Sequence, residues 1–187
     1  MKFIHTADWH LGKLFYGEYL TENQEWILKN RFLPILDEEK PDAVILAGDV
    51  YDRSVPPAEA VMLFDEMISE IVGKRHLPFL VISGNHDSAE RISFAGSILK
   101  NSGLYIYGDL KRTEPVILKD EYGEVAFVPL PYAEPGKVRE ALAVDVHTHE
   151  EAELALSRFL LEKIPHVQRK IAIAHEFVAG GKERDSE

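Results

Sequence analysis

The chain has 187 residues, of which 45% are hydrophobic and 28% charged, a composition that supports one folded domain with a sizeable core. Its 21 basic and 32 acidic residues give a formal net charge of −11, which excludes a broad basic surface that holds nucleic acid by phosphate neutralisation alone. The absence of cysteine excludes disulfides, thiolate zinc sites and a cysteine nucleophile. No apolar run approaches the roughly 20 residues of a membrane helix. Polar residues already occur within the first few positions of the chain. We therefore expect a cytoplasmic protein with neither signal peptide nor membrane anchor.

Strands and helices are predicted to alternate along the chain. Phe3-Ile4 begins a strand that ends at residues 6–8, and Thr21 with Gln24 fits a capping box that opens a helix to about Asp37. Apolar or alternating runs predict further strands at 43–47, 79–82, 104–107, 115–119, 124–128 and 170–174. Helical periodicity predicts helices at 57–71, 88–100 and 150–164. This alternation predicts an α/β layered domain with a largely parallel sheet.

Four of the predicted strands end in polar residues of the types that bind metal ions. The four segments are Asp8–Gly12, Gly48–Arg53, Gly84–Asp87 and Ala174–Phe177. One such strand end would be ordinary, because Asp and Asn are common turn residues. Four such strand ends require an explanation, because burying unpaired carboxylates and imidazoles costs free energy. Since ligands of parallel sheets gather beyond the carboxyl ends of the strands, we expect the four segments to converge on one edge of one sheet as a binding site.

The residue types in these segments indicate the kind of ion. Carboxylate, amide and imidazole groups without sulfur suit a hard or borderline divalent ion such as manganese. A carboxylate can bridge two ions, and paired metals roughly 3.5–4 Å apart hold the attacking and leaving oxygens of a phosphoryl displacement. Gly48 and Gly84 directly precede ligand-type residues, where they allow sharp turns and a close approach of the backbone.

These motifs resemble the calcineurin-like metallophosphoesterases. Asp8-x-His10, Gly48-Asp49-x-x-Asp52, Gly84-Asn85-His86-Asp87 and Ala174-His175 match the signatures of that superfamily in order. The fuller strings HTADWHLG, GDVYDR and GNHDS are similar to the SbcD family, the nuclease subunits of bacterial double-strand-break repair complexes. The resemblance spans essentially all 187 residues. It implies a layered metallophosphoesterase sandwich of mixed, mostly parallel sheets flanked by helices. It also implies a manganese-dependent DNA nuclease, an exonuclease on duplex ends and an endonuclease on hairpin or single-stranded DNA.

The resemblance implies a role for each matched residue. The metal ligands it implies are Asp8, His10, Asp49, Asn85 and His175. The first two hold one of two Mn²⁺ or Mg²⁺ ions, the last two hold the other, and Asp49 bridges both. In the family, His86 corresponds to the catalytic residue that faces the scissile phosphate and is not a ligand. An imidazole is suited to proton transfer there because its pKa lies near the working pH.

Residues next to these motifs have more than one interpretation. Asp52 and Arg53 form either a salt-bridged turn or a contact with phosphate or DNA. Trp9 is expected to pack beneath the site rather than to stack on a base. Asp87 is placed to orient His86.

The family has one further motif, Gly-His-x-His, after the strand that carries His175, and no later residue supplies it. The last residues, 180–187, are predicted to be a polar loop. We therefore expect residues 1–187 to be a metallophosphoesterase domain truncated before its last metal-ligand motif, without the capping and partner-binding regions of the family. His147-x-His149 has the right spacing, but it precedes that strand and is followed by glutamates, so we interpret it as a solvated helix start.

The resemblance also implies partners, namely DNA, the SbcC ATPase and a second copy of the chain bound through helices around 57–73 and 88–100. Because the chain is acidic, the metal ions or a partner must supply positive charge for DNA. Two other functions stay open. One is a small-molecule phosphodiesterase or phosphatase of the same superfamily, and the other is a catalytically incomplete, dimerising scaffold fragment.

Overall fold

The computed structural model describes residues 1–176 and shows two β-sheets packed face to face, with helices on both outer sides. The strands are β1 Phe3–Thr6, β2 Leu14–Phe15, β3 Glu18–Tyr19, β4 Ala43–Ala47, β5 Phe79–Ile82, β6 Leu104–Tyr107, β7 Val116–Asp120, β8 Gly123–Leu130 and β9 Arg169–Ala174. The helices are α1 Thr21–Ile27, α2 Leu33–Glu39, α3 Ala58–Ile68, α4 Ala89–Ile92, α5 Gly96–Leu99, α6 Pro135–Leu142 and α7 His149–Leu161. The loop predicted at 180–187 lies outside the described residues.

The first sheet is entirely parallel, in the order β1-β4-β5-β6. Every residue of β4 and β5 is buried, because helices cover one face of this sheet and the second sheet covers the other. Burial on both faces explains why these strands are continuous apolar runs rather than alternating ones. The strands predicted at 43–47, 79–82 and 104–107 are confirmed.

The second sheet has the order β7-β8-β9, with β7 antiparallel and β9 parallel to β8. The strands predicted at 115–119, 124–128 and 170–174 are confirmed with small shifts of their ends. The predicted α/β architecture of mixed, mostly parallel sheets flanked by helices is therefore confirmed. The short hairpin of β2 and β3 lies outside both sheets and was not predicted.

Three apolar cores hold the layers together. Between the sheets, Ile45 and Ile82 of the first meet Phe127 and Ile173 of the second. A second core lies between the first sheet and the helices from α1 to α3, where Met67 is fully buried. A third lies under α6 and α7 on the outer face of the second sheet. Burial of apolar area on this scale is the main stabilising contribution to the fold.

The capping box predicted at Thr21 and Gln24 is wrong. Leu20 precedes α1 as the cap residue, and no side chain caps this helix end. The helix does extend as predicted, because α1 runs through a π-helical turn, Leu28–Phe32, into α2. The Gln24 side chain is used in a different contact, described with the site below.

The single helix predicted at 88–100 is also wrong, because the segment forms two short helices, α4 and α5. Ala95 between them has the left-handed conformation, with a φ of +57°, which interrupts the helical geometry. Close packing against β6 accompanies the break, since a Cβ at Gly96 would lie 3.2 Å from the carbonyl oxygen of Ile106. Within residues 1–176, no helix is long and apolar enough to cross a membrane.

Candidate metal centre

The polar segments after β1, β4, β5 and β9 meet at one edge of the sandwich. The first three follow neighbouring strands of the parallel sheet. The expectation of a single sheet is wrong for the fourth, because β9 pairs with β8 in the second sheet. His175 nevertheless reaches the first sheet, since its Nδ1 lies 2.9 Å from the carbonyl oxygen of Ala47 at the end of β4. The site therefore lies where the edges of the two sheets come together.

Asp49 lies at the centre of this cluster and is only 3% exposed. Its Oδ2 lies 3.5 Å from Nε2 of His175, 3.6 Å from Nε2 of His10 and 3.9 Å from Nε2 of His86. These distances are longer than good hydrogen bonds. Its Oδ1 accepts a hydrogen bond of 2.9 Å from the backbone N–H of His86. A buried carboxylate that faces three imidazole nitrogens at these distances has the spacing expected around bound cations.

The donor atoms form two groups that share Asp49. One contains His10, Asp49 and His86, the other contains Asp8, Asp49 and His175, and the donor atoms within each group lie within 4.8 Å of one another. Asp8 also approaches the first group, since its Oδ1 lies 3.9 Å from Nε2 of His10. A carboxylate shared by two adjacent donor groups is the arrangement of a bridged pair of ions. The grouping differs from the family-based expectation in two ways, because it places Asp8 with His175 rather than with His10 and it includes His86 among the donors.

His175 and Asn85 face each other beside Asp49. A carbonyl oxygen only accepts hydrogen bonds, so Nδ1 of His175 donates to Ala47. In the neutral ring this leaves a lone pair on Nε2, which lies 3.2 Å from Oδ1 of Asn85 and 3.5 Å from Oδ2 of Asp49. Nε2 therefore faces two oxygen atoms, an arrangement that either a bound cation or a second proton on the ring makes favourable. A backbone carbonyl that fixes the tautomer of a ligand histidine is also typical of metal sites.

The backbone at the ends of β1 and β4 is strained. Asp8, His10 and Asp49 all have positive φ values, of 56°, 43° and 48°. Such conformations cost of order 1–3 kcal/mol each and are found where the surroundings enforce them. Here the two loops hold each other, because the N–H of Asp8 donates to Gly48 and the N–H of His10 donates to Asp49. The strain brings three candidate ligands into one small volume.

Two glycines permit this close packing, as their positions in the sequence predict. A Cβ at Gly48 would lie 2.2 Å from Nδ1 of His175. A Cβ at Gly84 would lie 2.1 Å from Oδ1 of Asp49 and 2.4 Å from its backbone nitrogen. No side chain fits at these distances, so both positions require glycine for the donors to converge.

His86 is the most accessible histidine of the cluster, with 44% of its side chain exposed. Its Nδ1 lies 3.0 Å from the carbonyl oxygen of Asp52 and therefore carries a proton. Its Nε2 is the atom left to contact another group. Asp52, through its backbone, therefore orients the ring.

The Asp87 carboxylate bonds to backbone N–H groups, whereas the His86 ring, for which the sequence suggests Asp87 as the orienting residue, bonds to the carbonyl oxygen of Asp52. The Asp87 carboxylate accepts hydrogen bonds from the N–H groups of Val50 at 3.1 Å, Tyr51 at 2.9 Å and Gly84 at 2.9 Å. Burial raises the pKa of the Asp87 carboxyl, the three donors oppose that rise, and the charge of Asp49 adds to it. Asp87 therefore ties the loop after β5 to the loop after β4.

The Asp52 side chain turns toward the protein rather than toward solvent. Its Oδ1 lies 3.5 Å from Nδ1 of His10 and 4.0 Å from Nζ of Lys13, and its Oδ2 lies 3.9 Å from Nε of Arg53. Nδ1 of His10 makes no hydrogen bond within residues 1–176, so the Asp52 carboxylate faces the ring without fixing its tautomer. The Arg53 side chain is 56% exposed. A phosphate or DNA contact for either residue stays a prediction.

Gln24 is a residue near the site that the sequence pattern did not indicate. Its Nε2 donates to the carbonyl oxygens of Trp9 at 3.0 Å and His10 at 2.9 Å, and its Oε1 accepts from the N–H of Gly12 at 3.1 Å. Helix α1 is thus attached to the loop that carries His10. The prediction that Trp9 packs beneath the site is confirmed, because its ring contacts Phe32 at a centroid distance of 5.5 Å.

The donor set fits divalent metal ions. It combines carboxylate, amide and imidazole groups without sulfur. Its central carboxylate is buried, and Nε2 of His175 presents a lone pair to two oxygens unless that nitrogen is protonated. When bound at such a site, divalent ions polarise a phosphoryl oxygen and activate water for attack on phosphorus.

Comparison with protein families agrees with this geometry. The family model of the calcineurin-like phosphoesterases matches residues 1–182. The chain belongs to this family, which confirms the superfamily that the sequence motifs resemble. It is therefore a metal-dependent phosphoester hydrolase, and its cluster of histidine and aspartate side chains fits the metal ions that the family uses.

Proposed function

We propose that the protein is a manganese-dependent DNA nuclease, an exonuclease on duplex ends and an endonuclease on hairpin or single-stranded DNA. The observation that carries the proposal is the pair of donor groups that share Asp49. Paired metal ions bridged by one carboxylate are used widely for in-line displacement at phosphodiesters. The strings around the ligands, which are similar to the SbcD family, favour DNA over other phosphoesters.

The residues have distinct roles in this proposal. The ligands of the two ions are Asp8, His10, Asp49, Asn85 and His175. His86 contacts the scissile phosphate through Nε2, while its Nδ1 stays bonded to the carbonyl oxygen of Asp52. When the His86 ring is protonated, Nε2 donates a hydrogen bond to the phosphate or a proton to the leaving oxygen.

The exposure of the site is compatible with a polymeric substrate. The side chains of Asp8 and His86 are 55% and 44% exposed, so a phosphate on an extended backbone can reach them. The central carboxylate of Asp49 stays buried behind them. Arg53, with its exposed guanidinium, is a candidate for a second phosphate contact.

The test is a cleavage assay with the chain and Mn²⁺. The substrates are an end-labelled linear duplex, a DNA hairpin and bis(p-nitrophenyl) phosphate. The proposal predicts that the duplex is shortened and the hairpin opened, and that both reactions stop in EDTA. Hydrolysis of the small diester with both DNA substrates intact would contradict it.

A small-molecule phosphodiesterase or phosphatase of the same family is the second candidate. The net charge of −11 favours it, because an acidic protein repels an extended polyanion. Turnover of a small phosphate monoester without any effect on DNA would support this candidate. The third candidate is a catalytically incomplete, dimerising scaffold fragment. Dimerisation in the absence of metal, together with no cleavage of any phosphoester, would support it.

The proposal includes two protein partners, the SbcC ATPase and a second copy of the chain. Apolar side chains exposed on α3, on α5 and in the loop between α4 and α5 support the second copy. Met62, Phe94 and Ile98 are 71%, 80% and 71% exposed. Large exposed apolar side chains are typical of interaction surfaces. Sedimentation of the chain with and without a Phe94→Glu substitution tests this, and an unchanged monomer in both would contradict the dimer.

A further inference from the structure

A groove of about 810 Å³ adjoins the metal centre on the side of the second sheet. Asp8, Asn85 and His175 line it together with Tyr132 and His149, which belong to neither donor group. Its volume is in the range of small-molecule sites, roughly 300–1,000 Å³. A substrate phosphate held at the metal centre therefore has room for an attached group in this groove.

The two aromatic side chains form a stacked pair. The rings of Tyr132 and His149 have centroids 5.6 Å apart and planes inclined by 28°. Glu134 holds both, because its Oε1 accepts a hydrogen bond of 2.9 Å from the Tyr132 hydroxyl and its Oε2 lies 3.5 Å from Nε2 of His149. Glu134 thus contacts both members of the pair.

The pair is also attached to the backbone that positions the metal centre. The N–H of Tyr132 donates to the carbonyl oxygen of Ser83, two residues before Asn85, at 3.0 Å. Tyr132 follows β8, whose Leu130 pairs with Ala174 next to His175. His149 begins α7 and is fixed there by the capping box of Thr148 and Glu151. The rings therefore have a defined position relative to the site.

We propose that Tyr132 and His149 form a stacking surface for the nucleoside base of the substrate whose phosphate lies at the metal centre. Every nucleobase has a π face, so aromatic side chains bind bases with little sequence preference. The carboxylates of Glu134 and Glu176 next to the rings favour a neutral base over a second phosphate. This inference rests on the proposed nuclease function and specifies the part of the substrate that the groove binds.

The test compares the binding of two probes to the full chain in Mg²⁺ by isothermal titration calorimetry. The probes are thymidine 5′-monophosphate and inorganic phosphate, and their affinity ratio isolates the contribution of the nucleoside. We expect Tyr132→Leu to lower that ratio about tenfold, in the range for one lost base-stacking contact. Tyr132→Phe, which keeps the ring and removes only the hydroxyl bond to Glu134, is the matched variant and keeps the ratio.

Saturation-transfer NMR with the same nucleotide gives a second readout. We expect saturation to reach the thymine H6 and methyl protons in the unmodified protein and to weaken in Tyr132→Leu. Equal loss of affinity for both probes in Tyr132→Leu would show a structural role only and would overturn the inference. Equal affinity for both probes in the unmodified protein, or no binding of the nucleotide, would overturn it too.

The two proposals fail in distinguishable ways. A protein that cleaves DNA but binds the nucleotide no better than phosphate contradicts the stacking surface alone. A protein that leaves DNA intact contradicts the nuclease function, whatever its affinity for the nucleotide.

Discussion

The geometry and the family resemblance imply different roles for His86. The geometry groups it with the metal donors, whereas in the family it is a catalytic residue and not a ligand. Its Nε2 lies 3.9 Å from Oδ2 of Asp49, which is close enough for it to share an ion. Its exposed ring and its Nδ1 contact with the carbonyl of Asp52 are equally suited to a group that contacts substrate. The two roles differ in what the loss of the imidazole does to metal binding.

We predict that His86→Gln abolishes cleavage and leaves the stoichiometry of manganese binding unchanged. Loss of a general acid–base group lowers rates by roughly 10²–10⁴-fold. Cleavage rates and calorimetric titration of the same preparation measure both quantities. His166→Gln, at an exposed position away from the centre, is the control. Loss of cleavage and of a bound ion together would make His86 a ligand.

A substitution of Gly84 tests whether the metal centre depends on the close approach of the loops after β4 and β5. A Cβ at this position collides with both the carboxylate and the backbone nitrogen of Asp49. We predict that Gly84→Ala costs roughly 1–3 kcal/mol, as overpacking in a dense interior does, and weakens manganese binding. Denaturant unfolding and metal titration measure the two effects.

Gly73→Ala is the matched control, because no atom lies within 4 Å of a Cβ built there and alanine favours the helical conformation. Unchanged metal affinity in the Gly84→Ala protein would show that Asp49 does not depend on this approach.

At the scale of elements, the pairing of Thr21 and Gln24 shows the limit of a local pattern. The spacing of a capping box is present, but Gln24 instead makes three hydrogen bonds to the loop after β1. These contacts span 12 to 15 residues of sequence, so no local motif indicates them. The break between α4 and α5 has the same character, since Gly96 packs closely against the backbone of Ile106 in another element, β6.

We predict that Gln24→Ala lowers both stability and manganese affinity. The substitution leaves the carbonyl oxygens of Trp9 and His10 and the N–H of Gly12 without this partner, at about 1–3 kcal/mol for a buried group left unsatisfied. Thermal unfolding with and without Mn²⁺ measures both effects. Gln168→Ala, at an exposed position, is the control. A loss of stability that is equal with and without metal would assign Gln24 a purely structural role.

Helix α7 contains a carboxyl group that makes stability depend on pH. Burial, with a smaller effect of Glu176, raises the pKa of Glu153 from 4.5 to about 7. Its Oε1 makes no hydrogen bond within residues 1–176. The folded protein therefore holds this proton more tightly than the unfolded chain, and stability falls as the pH rises from about 4.5 to about 7.

We predict that Glu153→Gln raises the melting temperature at pH 8 and leaves it unchanged at pH 4, because glutamine carries no charge in either state. For a chain of this size, each kcal/mol corresponds to about 2–4 °C. Calorimetric melting curves at the two pH values test this. An equal shift at both values would exclude ionisation as the cause.

At the scale of the whole molecule, the α/β class and the main strands could be predicted from the sequence. Parallel strands buried on both faces consist of continuous runs of apolar residues, which are visible in the sequence. The convergence of polar residues could be predicted because ligands of parallel sheets bind beyond the carboxyl ends of the strands. The division into two sheets could not be predicted, since β9 joins β8 through tertiary pairing that no local pattern encodes. His175 therefore reaches the site from a different layer than the sequence indicated.

The central claim is that Asp49 is shared by two metal ions, and a calorimetric titration with Mn²⁺ tests it most directly. The comparison is between the unmodified chain, Asp49→Ala and the control Asp145→Ala, whose side chain is 87% exposed. We predict two bound ions in the unmodified chain and in the control, and the loss of both in Asp49→Ala. A single ion in the unmodified chain, or two ions retained in Asp49→Ala, would contradict a shared carboxylate.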